Sequence, residues 1–155
     1  MKEIKRNHYV DTVIYSVDMI IKNLKAELKH RIDKLDLGIT GEQFVVLDTV
    51  SYYENIYPQK LSDILMKDKS NTTRMIQILV DKGLLIKEAG KSNNRLVYIL
   101  KITDKGKKLV NDNMPKIKKY ITEIFANISD EEIELLHKMS TKFETALIDN
   151  VKNKT

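Results

Sequence analysis

Hydrogen-bonding side chains collect at the start of the stretch KSNTTRMIQILVDKGLL, residues 69–85. Ser70, Thr73, Arg74, Gln77 and Asp81 recur with the period of an α-helix, so they share one face. An arginine fork can bind guanine bidentately, and a glutamine amide can bind adenine in the same way. This face therefore has the chemistry to read base edges in DNA, although an ordinary surface helix capped by Ser70 also fits the stretch taken alone. The opposite face is expected to point inward through Met75, Ile76, Leu79 and Val80.

The preceding segment indicates how this helix is presented. A short helix is predicted after Pro58, and the polar run Lys67-Asp68-Lys69 interrupts it. A second helix is then expected from about Asn71 to Lys82, with Gly83 as its stop. This order is typical of helix-turn-helix proteins, whose second helix enters the major groove with its N-terminal residues at the base edges.

The next segment changes from helical to strand periodicity. Leu85-Ile86-Lys87 and residues 95–102 are rich in branched and aromatic residues and bracket the turn-forming GKSNN. This pattern predicts a hairpin, the wing of a winged-helix module. Basic side chains at such a tip can enter the narrow minor groove. Lys91 and Arg95 are suitably placed for this role, although a solvated loop charge is the simpler interpretation of each one alone. Asn93 and Asn94, between them, are also considered as DNA contacts.

The positive charge of the chain lies in the same region. The 155 residues carry a net charge of +5, and residues 67–101 contain eight bases against three acids, an excess equal to that of the whole chain. A local basic patch on an otherwise balanced protein is expected of a protein that binds a phosphate backbone. A solvated lysine-rich face is the alternative.

Amphipathic helices flank this central region. One is predicted over residues 7–35, with Gly38 as its stop, and a capping box of Thr40 and Gln43 opens the helix that follows it. After the hairpin, Thr103 caps a helix that Pro115 can kink, and Ser129 with Glu132 forms another capping box. The fold class is therefore mainly α with a small β-hairpin wing. A single domain over residues 1–155 is predicted, with a winged helix-turn-helix module at 40–103 and flanking helices at 7–35 and 104–152.

Several functional classes lack support in the sequence. The chain has no cysteine, which excludes disulfides and thiol chemistry. His8, His30 and His137 lie far apart without metal-ligand spacing, and there is no nucleophile elbow, P-loop or dinucleotide-binding glycine motif. No signal peptide or membrane span is recognised. The expectation is a cytoplasmic protein that is not an enzyme, with no metal or cofactor and no membrane association.

Two motifs resemble those of the MarR-type transcriptional regulators. NTTRMIQILVDKGLLIK is similar to the recognition helix of that family, with Thr73 and Arg74 and the closing Lys82, Gly83 and Leu84. ITDKG, residues 102–106, is similar to the Leu-Thr-x-x-Gly that follows the family's wing. One departure concerns the family's Asp-x-Arg pair in the wing, because Arg95 lies eight residues before Thr103 instead of seven and Asn93 or Asn94 replaces the acid.

The resemblance implies a homodimer whose N-terminal helix and last two helices interdigitate, so that two winged modules meet a pseudo-palindromic operator in double-stranded DNA. It also implies that a small aromatic or anionic effector binds in a crevice that Tyr52, Tyr53 and Tyr57 could line, although these are more simply core and surface aromatics. No ligand-binding residue is assigned.

The functional hypothesis is a sequence-specific DNA-binding regulator that represses promoters as a dimer. The alternative is a winged-helix protein-interaction module, or an anti-regulator, that does not bind DNA specifically. Under the first hypothesis, Lys69 contacts phosphate and Lys91, Asn93, Asn94 and Arg95 form the wing contacts. The residues expected in the major groove are Ser70, Asn71, Thr72, Thr73, Arg74 and Gln77.

Overall fold

The computed structural model describes residues 8–9, 12–92 and 95–152. Over these residues the chain forms six helices and one antiparallel hairpin. The mainly helical class with a hairpin, predicted from the sequence, is therefore confirmed. The elements in chain order are α1 (Val13–Asp33), α2 (Gly41–Tyr53), α3 (Pro58–Leu65), α4 (Lys69–Asp81), β1 (Leu85–Ser92), β2 (Arg95–Ile102), α5 (Asp104–Ile124) and α6 (Asp130–Lys152).

The chain divides into two compact units, Met1–Lys118 and Lys119–Thr155. The first unit holds α1 to α4, the hairpin and most of α5, whereas the second holds the end of α5 and α6. The sequence predicts one domain because it contains no linker-like segment. The boundary between the two units lies within α5, and the single domain predicted over residues 1–155 stays a prediction.

The core of the first unit is built from α2, α3, α4, the hairpin, one residue of α5 and one residue each from the connections after α2 and α4. Their apolar side chains meet because α3 and α4 each carry an apolar stripe, α2 is apolar around much of its circumference, and β2 alternates its side chains between two faces. Burying one leucine or isoleucine side chain fully stabilises a fold by about 1.5–3 kcal/mol. The buried members are Val46, Leu47, Val50, Ile56, Leu61, Met75, Ile76, Leu79, Leu84, Leu85, Leu100 and Val110. A second, smaller cluster joins α1, α2 and α5 through Ile32, Phe44 and Ile117.

The limits of α1 differ from the prediction at both ends. The helix begins at Val13, where the Thr12 hydroxyl accepts the backbone N–H of Tyr15. It ends at Asp33, and Lys34 caps it in right-handed helical geometry. Gly38, predicted to stop this helix, lies farther along in the connection to α2 with φ +67°. The prediction ran too far because Leu35 and Leu37 continue the apolar pattern into the connection, where they are partly buried.

The starts of α2 and α6 follow the capping signals in the sequence. Thr40 and Gln43 form the predicted capping box at the start of α2. At the start of α6, the Ser129 backbone N–H donates to Glu132 and the Glu132 backbone N–H donates to the Ser129 hydroxyl. α5 continues through Pro115 as one helix.

The hairpin has a regular register. Leu85 pairs with Ile102 at its base and Ser92 pairs with Arg95 at its tip. The sequence did not predict that Ile56, between α2 and α3, adds a bridge to the edge of β2. The Leu100 backbone N–H donates to the Ile56 carbonyl at 2.9 Å. This bridge joins the segment before the helix-turn-helix to the wing.

Helices α1 and α6 carry apolar side chains that the single chain does not bury. In α6 the side chain of Leu147 is 68% exposed, and none of the residues described in this helix is buried. The exposed apolar residues are Val13, Ile14, Val17, Ile20 and Ile21 in α1 and Ile133, Leu135, Leu136, Met139, Phe143, Leu147 and Ile148 in α6. None of the helices in the described part of the chain combines the length and the hydrophobicity needed to cross a bilayer.

Candidate nucleic-acid interface

The recognition-like helix α4 begins earlier than the sequence pattern indicated. Asp68 is its N-cap, and the Asp68 carboxylate accepts the Asn71 backbone N–H at 2.8 Å. The helix therefore starts at Lys69 and not near Asn71, and the interpretation of Ser70 as a cap is wrong. A carboxylate at this end complements the helix dipole and already occupies one of the amides that could otherwise bind phosphate.

The two faces of α4 separate as predicted. Met75, Ile76 and Leu79 are buried in the core, whereas Arg74 and Gln77 lie at the surface. The apolar side of α4 thus fixes the helix on its module while the polar side faces outward.

Thr72 corrects the predicted set of DNA contacts. Its side chain is only 1% exposed, and its hydroxyl donates to the Asp68 carbonyl at 3.0 Å. A buried threonine bonded to the preceding turn cannot reach a base edge from this position. The error arose because a threonine is compatible with either face, and the sequence pattern placed the boundary of the polar face one residue too far.

The remaining predicted residues of α4 lie on its accessible side. Lys69, Ser70 and Thr73 are exposed, and Asn71 is half-buried. The Arg74 guanidinium makes a long hydrogen bond of 3.5 Å to the Asn71 carboxamide oxygen. The arginine fork consequently stays at the surface, one turn from the N-terminus of the helix.

Part of the basic patch is neutralised locally. Lys67 lies 3.3 Å from Glu42 of α2, and Lys101 lies 2.7 Å from Glu88 across the hairpin. Such exposed ion pairs contribute about 0–1 kcal/mol each, so their main effect here is on the local charge. Lys69 and Arg74 are the cationic side chains on the outer side of α4 itself.

The hairpin places the predicted wing residues at its tip. Lys91 is the next-to-last residue of β1, and Arg95 is the first residue of β2. Only two residues separate the strands, so both positions adjoin the turn. Asn93 and Asn94 lie outside the described residues, so their predicted contacts remain predictions.

The C-terminal end of α4 is closed by a Schellman motif. Gly83 has φ +68°, its N–H donates to Val80, and the Leu84 N–H donates to Leu79. Both hydrogen bonds satisfy carbonyls at the helix end, and a left-handed residue is needed between them. Leu79 and Leu84 are both buried in the core, as expected for this motif.

The ITDKG motif fastens this end of α4 to the start of α5. The Thr103 hydroxyl donates to the Gly83 carbonyl at 2.8 Å and accepts the Gly106 N–H. It therefore links the turn after α4 to the start of α5 and caps α5. Lys105 donates to the Lys82 carbonyl at 2.8 Å. A Cβ on Gly106 would lie 2.4 Å from the Leu84 carbonyl oxygen, so this position requires glycine. The motif therefore holds the recognition-like helix against α5.

The structure also reveals neighbours of Gln77 that the sequence analysis did not place in the site. The Gln77 amide nitrogen donates to Asp81, and its oxygen accepts from the Lys87 ammonium, each at 2.7 Å. Asp81 has a sequence signal, since it lies four residues along the same helical face. Lys87 has no such sequence signal, because it belongs to β1 and comes close to Gln77 only when the chain folds back after Gly83.

A cleft of about 560 Å³ lies beside the anchored end of α4. Its lining combines apolar residues with lysines and aspartates: Leu37, Gly38, Ile39, Asp81, Lys82, Leu84, Lys105, Lys108, Leu109 and Asp112. Tyr52, Tyr53 and Tyr57, considered as crevice residues from the resemblance, do not line it. Among the residues that the structure describes, no three histidine or acidic side chains could together hold a metal ion.

Comparisons with known proteins agree with this geometry. A family model described as MarR family matches residues 39–97, which cover α2 to the first part of β2. The HTH-type transcriptional regulator MhqR of Bacillus subtilis (strain 168) is 30% identical over 103 residues, covering 66% of this chain and 70% of that protein.

Solved structures share the fold. A MarR protein from Peptoclostridium difficile superposes with a TM-score of 0.76 at 24% identity and covers 94% of each chain. The Staphylococcus aureus MepR–DNA complex gives a TM-score of 0.73 at 20% identity, covering 90% of this chain and 99% of that one. These similarities confirm the winged-helix fold. The family model and the sequence relationship to MhqR establish that this chain belongs to the MarR family of transcriptional regulators.

Proposed function

We propose that the protein is a sequence-specific regulator that binds double-stranded DNA as a homodimer and represses transcription by occupying a promoter. The observation that carries the proposal is the outward polar face of α4, on which Arg74 and Gln77 are exposed while the apolar side is buried. That face has the donors and acceptors for base edges, and Lys69 stands at the helix start for phosphate.

The wing supplies the second contact. Lys91 and Arg95 lie close to the tip of the hairpin, which is the element that follows α4 in the chain. Basic residues at a wing tip are suited to the narrow minor groove beside the major groove that the helix enters. The MepR–DNA complex supports DNA binding by this fold, because a protein of the same fold is bound to DNA in it.

The exposed apolar side chains of α1 and α6 support the homodimer. Apolar side chains exposed along one side of a helix are typical of an interface, and identical chains generally associate with two-fold symmetry. A two-fold dimer would present two copies of α4 to a pseudo-palindromic operator, with half-sites about 34–36 Å apart.

Release of DNA by a small aromatic or anionic effector is part of the same proposal. The cleft beside the end of α4 supports it, because Lys82, Lys105 and Lys108 line it together with the apolar Leu37 and Leu109. A ligand there would contact both α4 and α5, and would therefore bear on the position of the recognition-like helix.

The test begins with selection of operator duplexes from a randomised pool, followed by fluorescence anisotropy over about 50–200 mM salt. Arg74→Ala is expected to weaken binding by about 1–3 kcal/mol and to relax base preference. Arg74→Lys is the matched control, because it keeps the charge but loses the bidentate fork. It should retain the salt dependence of the parent while losing much of the preference.

Lys69→Ala provides the opposite pattern. It should weaken all duplexes equally and reduce the slope of log K against log salt by about one, as expected for a lost phosphate contact. Because both side chains are exposed, neither change should alter thermal stability appreciably. A protein that binds selected and scrambled duplexes equally would contradict sequence-specific regulation, and one that binds neither would favour the protein-interaction module.

A further inference from the structure

A chain of contacts links the wing to the recognition-like helix through Gln77. The Lys87 ammonium of β1 donates to the Gln77 amide oxygen at 2.7 Å, and the Gln77 amide nitrogen donates to the Asp81 carboxylate at 2.7 Å. Lys87 also lies over the ring of Tyr98 in β2, 5.1 Å from the centroid. We propose that Lys87 is a positioning residue that orients the Gln77 amide and thereby determines which base this helix accepts. The inference rests on the proposed function.

The two partners of Gln77 fix the orientation of its amide by their chemistry. An ammonium can only donate hydrogen bonds, and an ionised carboxylate can only accept them. Turning the amide by half a rotation would place its NH₂ group against Lys87 and its oxygen against Asp81. Both contacts would then be repulsive, so the observed orientation is favoured over the reverse one.

An oriented amide discriminates bases better than a freely rotating one. With one N–H given to Asp81 and one lone pair given to Lys87, Gln77 retains one donor and one acceptor. Adenine offers the complementary pair on its major-groove edge, the N7 acceptor and the N6 amino donor. A free amide can turn to suit other edges, such as the O6 of guanine or the N4 amino group of cytosine. Restricting it removes that tolerance.

The Lys87 side chain is itself restricted by a neighbour in the wing, Tyr98. The residue lies on β1, where its register partner is Leu100, and the Tyr98 ring that it covers belongs to the neighbouring strand β2. An ammonium over an aromatic face is attracted to the ring, which limits the directions available to the lysine side chain. The wing would thus contribute to base readout in the major groove through Gln77, in addition to its own contact in the minor groove.

The competing role for Lys87 is an ordinary phosphate contact. A phosphate contact adds affinity for every sequence and steepens the salt dependence. A positioning role changes the ratio of affinities between bases at one position and acts only while Gln77 is present. The two roles therefore make different predictions for the same variant.

The experiment uses the selected operator and its variants at the base pair that Gln77 reads, identified as the position where Gln77→Ala loses its preference. Lys87→Met keeps an unbranched side chain of similar length and removes the donor. The parent is expected to prefer its best base pair about tenfold. Lys87→Met should reduce that preference to about threefold or less while the preferences at other positions persist.

Two further variants test whether Lys87 acts through Gln77. The double variant Lys87→Met with Gln77→Ala should discriminate no worse than Gln77→Ala alone, since coupled residues are not additive. Lys87→Arg should restore most of the preference, because a guanidinium also donates. Thermal melting of Lys87→Met should match the parent, which confirms that the variant is folded.

The outcomes separate this inference from the function on which it rests. If the parent discriminates bases but Lys87→Met lowers the affinity for all duplexes by one factor and flattens the salt dependence, Lys87 is a phosphate contact and the inference is wrong. An unchanged preference in Lys87→Met overturns it equally. If the parent shows no base preference at any position, the proposed function itself fails, and this inference falls with it.

Discussion

Helices α4 and α6 are both amphipathic, yet they use their apolar faces in opposite ways. In α4 the apolar face is closed inside its own module, where Ile76 and Leu79 are fully buried. In α6 the corresponding face is open, with Phe143 53% and Leu147 68% exposed. The same periodicity in the sequence therefore gives a buried apolar face in α4 and an exposed apolar face in α6.

The difference teaches which face of each helix is available for a partner. α4 offers its polar side because its apolar side already stabilises the fold. α6 exposes its apolar side, which is the side available for the proposed interface. We therefore expect changes in α4 to alter either stability or DNA binding according to the face, and changes in α6 to alter association.

The largest expected effect is on the closed face of α4. Leu79→Ala should lower the free energy of unfolding by about 2–5 kcal/mol, because it removes a fully buried side chain and leaves a cavity. Leu79→Met, which nearly conserves the volume, should cost less than about 1.5 kcal/mol. Urea unfolding of both variants measures the difference, and similar losses would mean that this face is not tightly packed.

The next effect tests the open face of α6. Phe143→Glu should weaken self-association by about 2–4 kcal/mol, the range of a central apolar contact, because it places a charge in the proposed interface. The effect should appear in sedimentation equilibrium and depend on protein concentration. Thr145→Glu is the matched control, since Thr145 lies on the other side of the same helix, with its hydroxyl bonded to the Thr141 carbonyl. Equal effects of the two changes would contradict an interface on the apolar face.

The sequence predicted most of the elements because local signals define them. These signals depend on residues that are close in the chain. They are the capping boxes at Thr40 and Ser129, the proline that begins α3 and the hairpin pattern before ITDKG. The structure also gives the ITDKG motif a physical reason, since Thr103 bridges to Gly83 and Gly106 packs against the Leu84 carbonyl. The resemblance had identified the motif without that reason.

The errors concern choices that local pattern does not decide. Asp68 and Ser70 are both competent N-caps, so the start of α4 was ambiguous by two residues. Thr72 suits a buried or an exposed site, and its burial depends on the packing of the whole module. The contact of Lys87 with Gln77 joins a strand to a helix across a turn, so only the folded chain brings the two side chains together.

The smallest expected effects compare two carboxyls, Asp48 of the first unit and Glu131 at the start of α6. Burial raises the pKa of Asp48 above its ordinary value of 3.8, although Lys118 opposes the shift. A hydrogen bond from its own backbone N–H, followed by one from Ser129, lowers the pKa of Glu131 below its ordinary 4.5. A raised acid pKa removes stability as the pH rises through the folded value, whereas a lowered one removes stability as the pH falls through it.

Substitution of the two carboxyls should therefore change stability with opposite signs. Asp48→Asn should be slightly more stable than the parent at neutral pH, and the gain should vanish as the pH falls below 3.8. Glu131→Gln should be slightly less stable at neutral pH, and that loss should vanish below the lowered pKa of Glu131. Melting temperatures measured between about pH 3 and pH 7 test this, because other titrating groups cancel in each difference from the parent. If both variants changed the melting temperature in the same direction at neutral pH, the partial burial of Asp48 would not penalise its charge. The two carboxyls would then not differ in the way that the buried and exposed faces of α4 and α6 do.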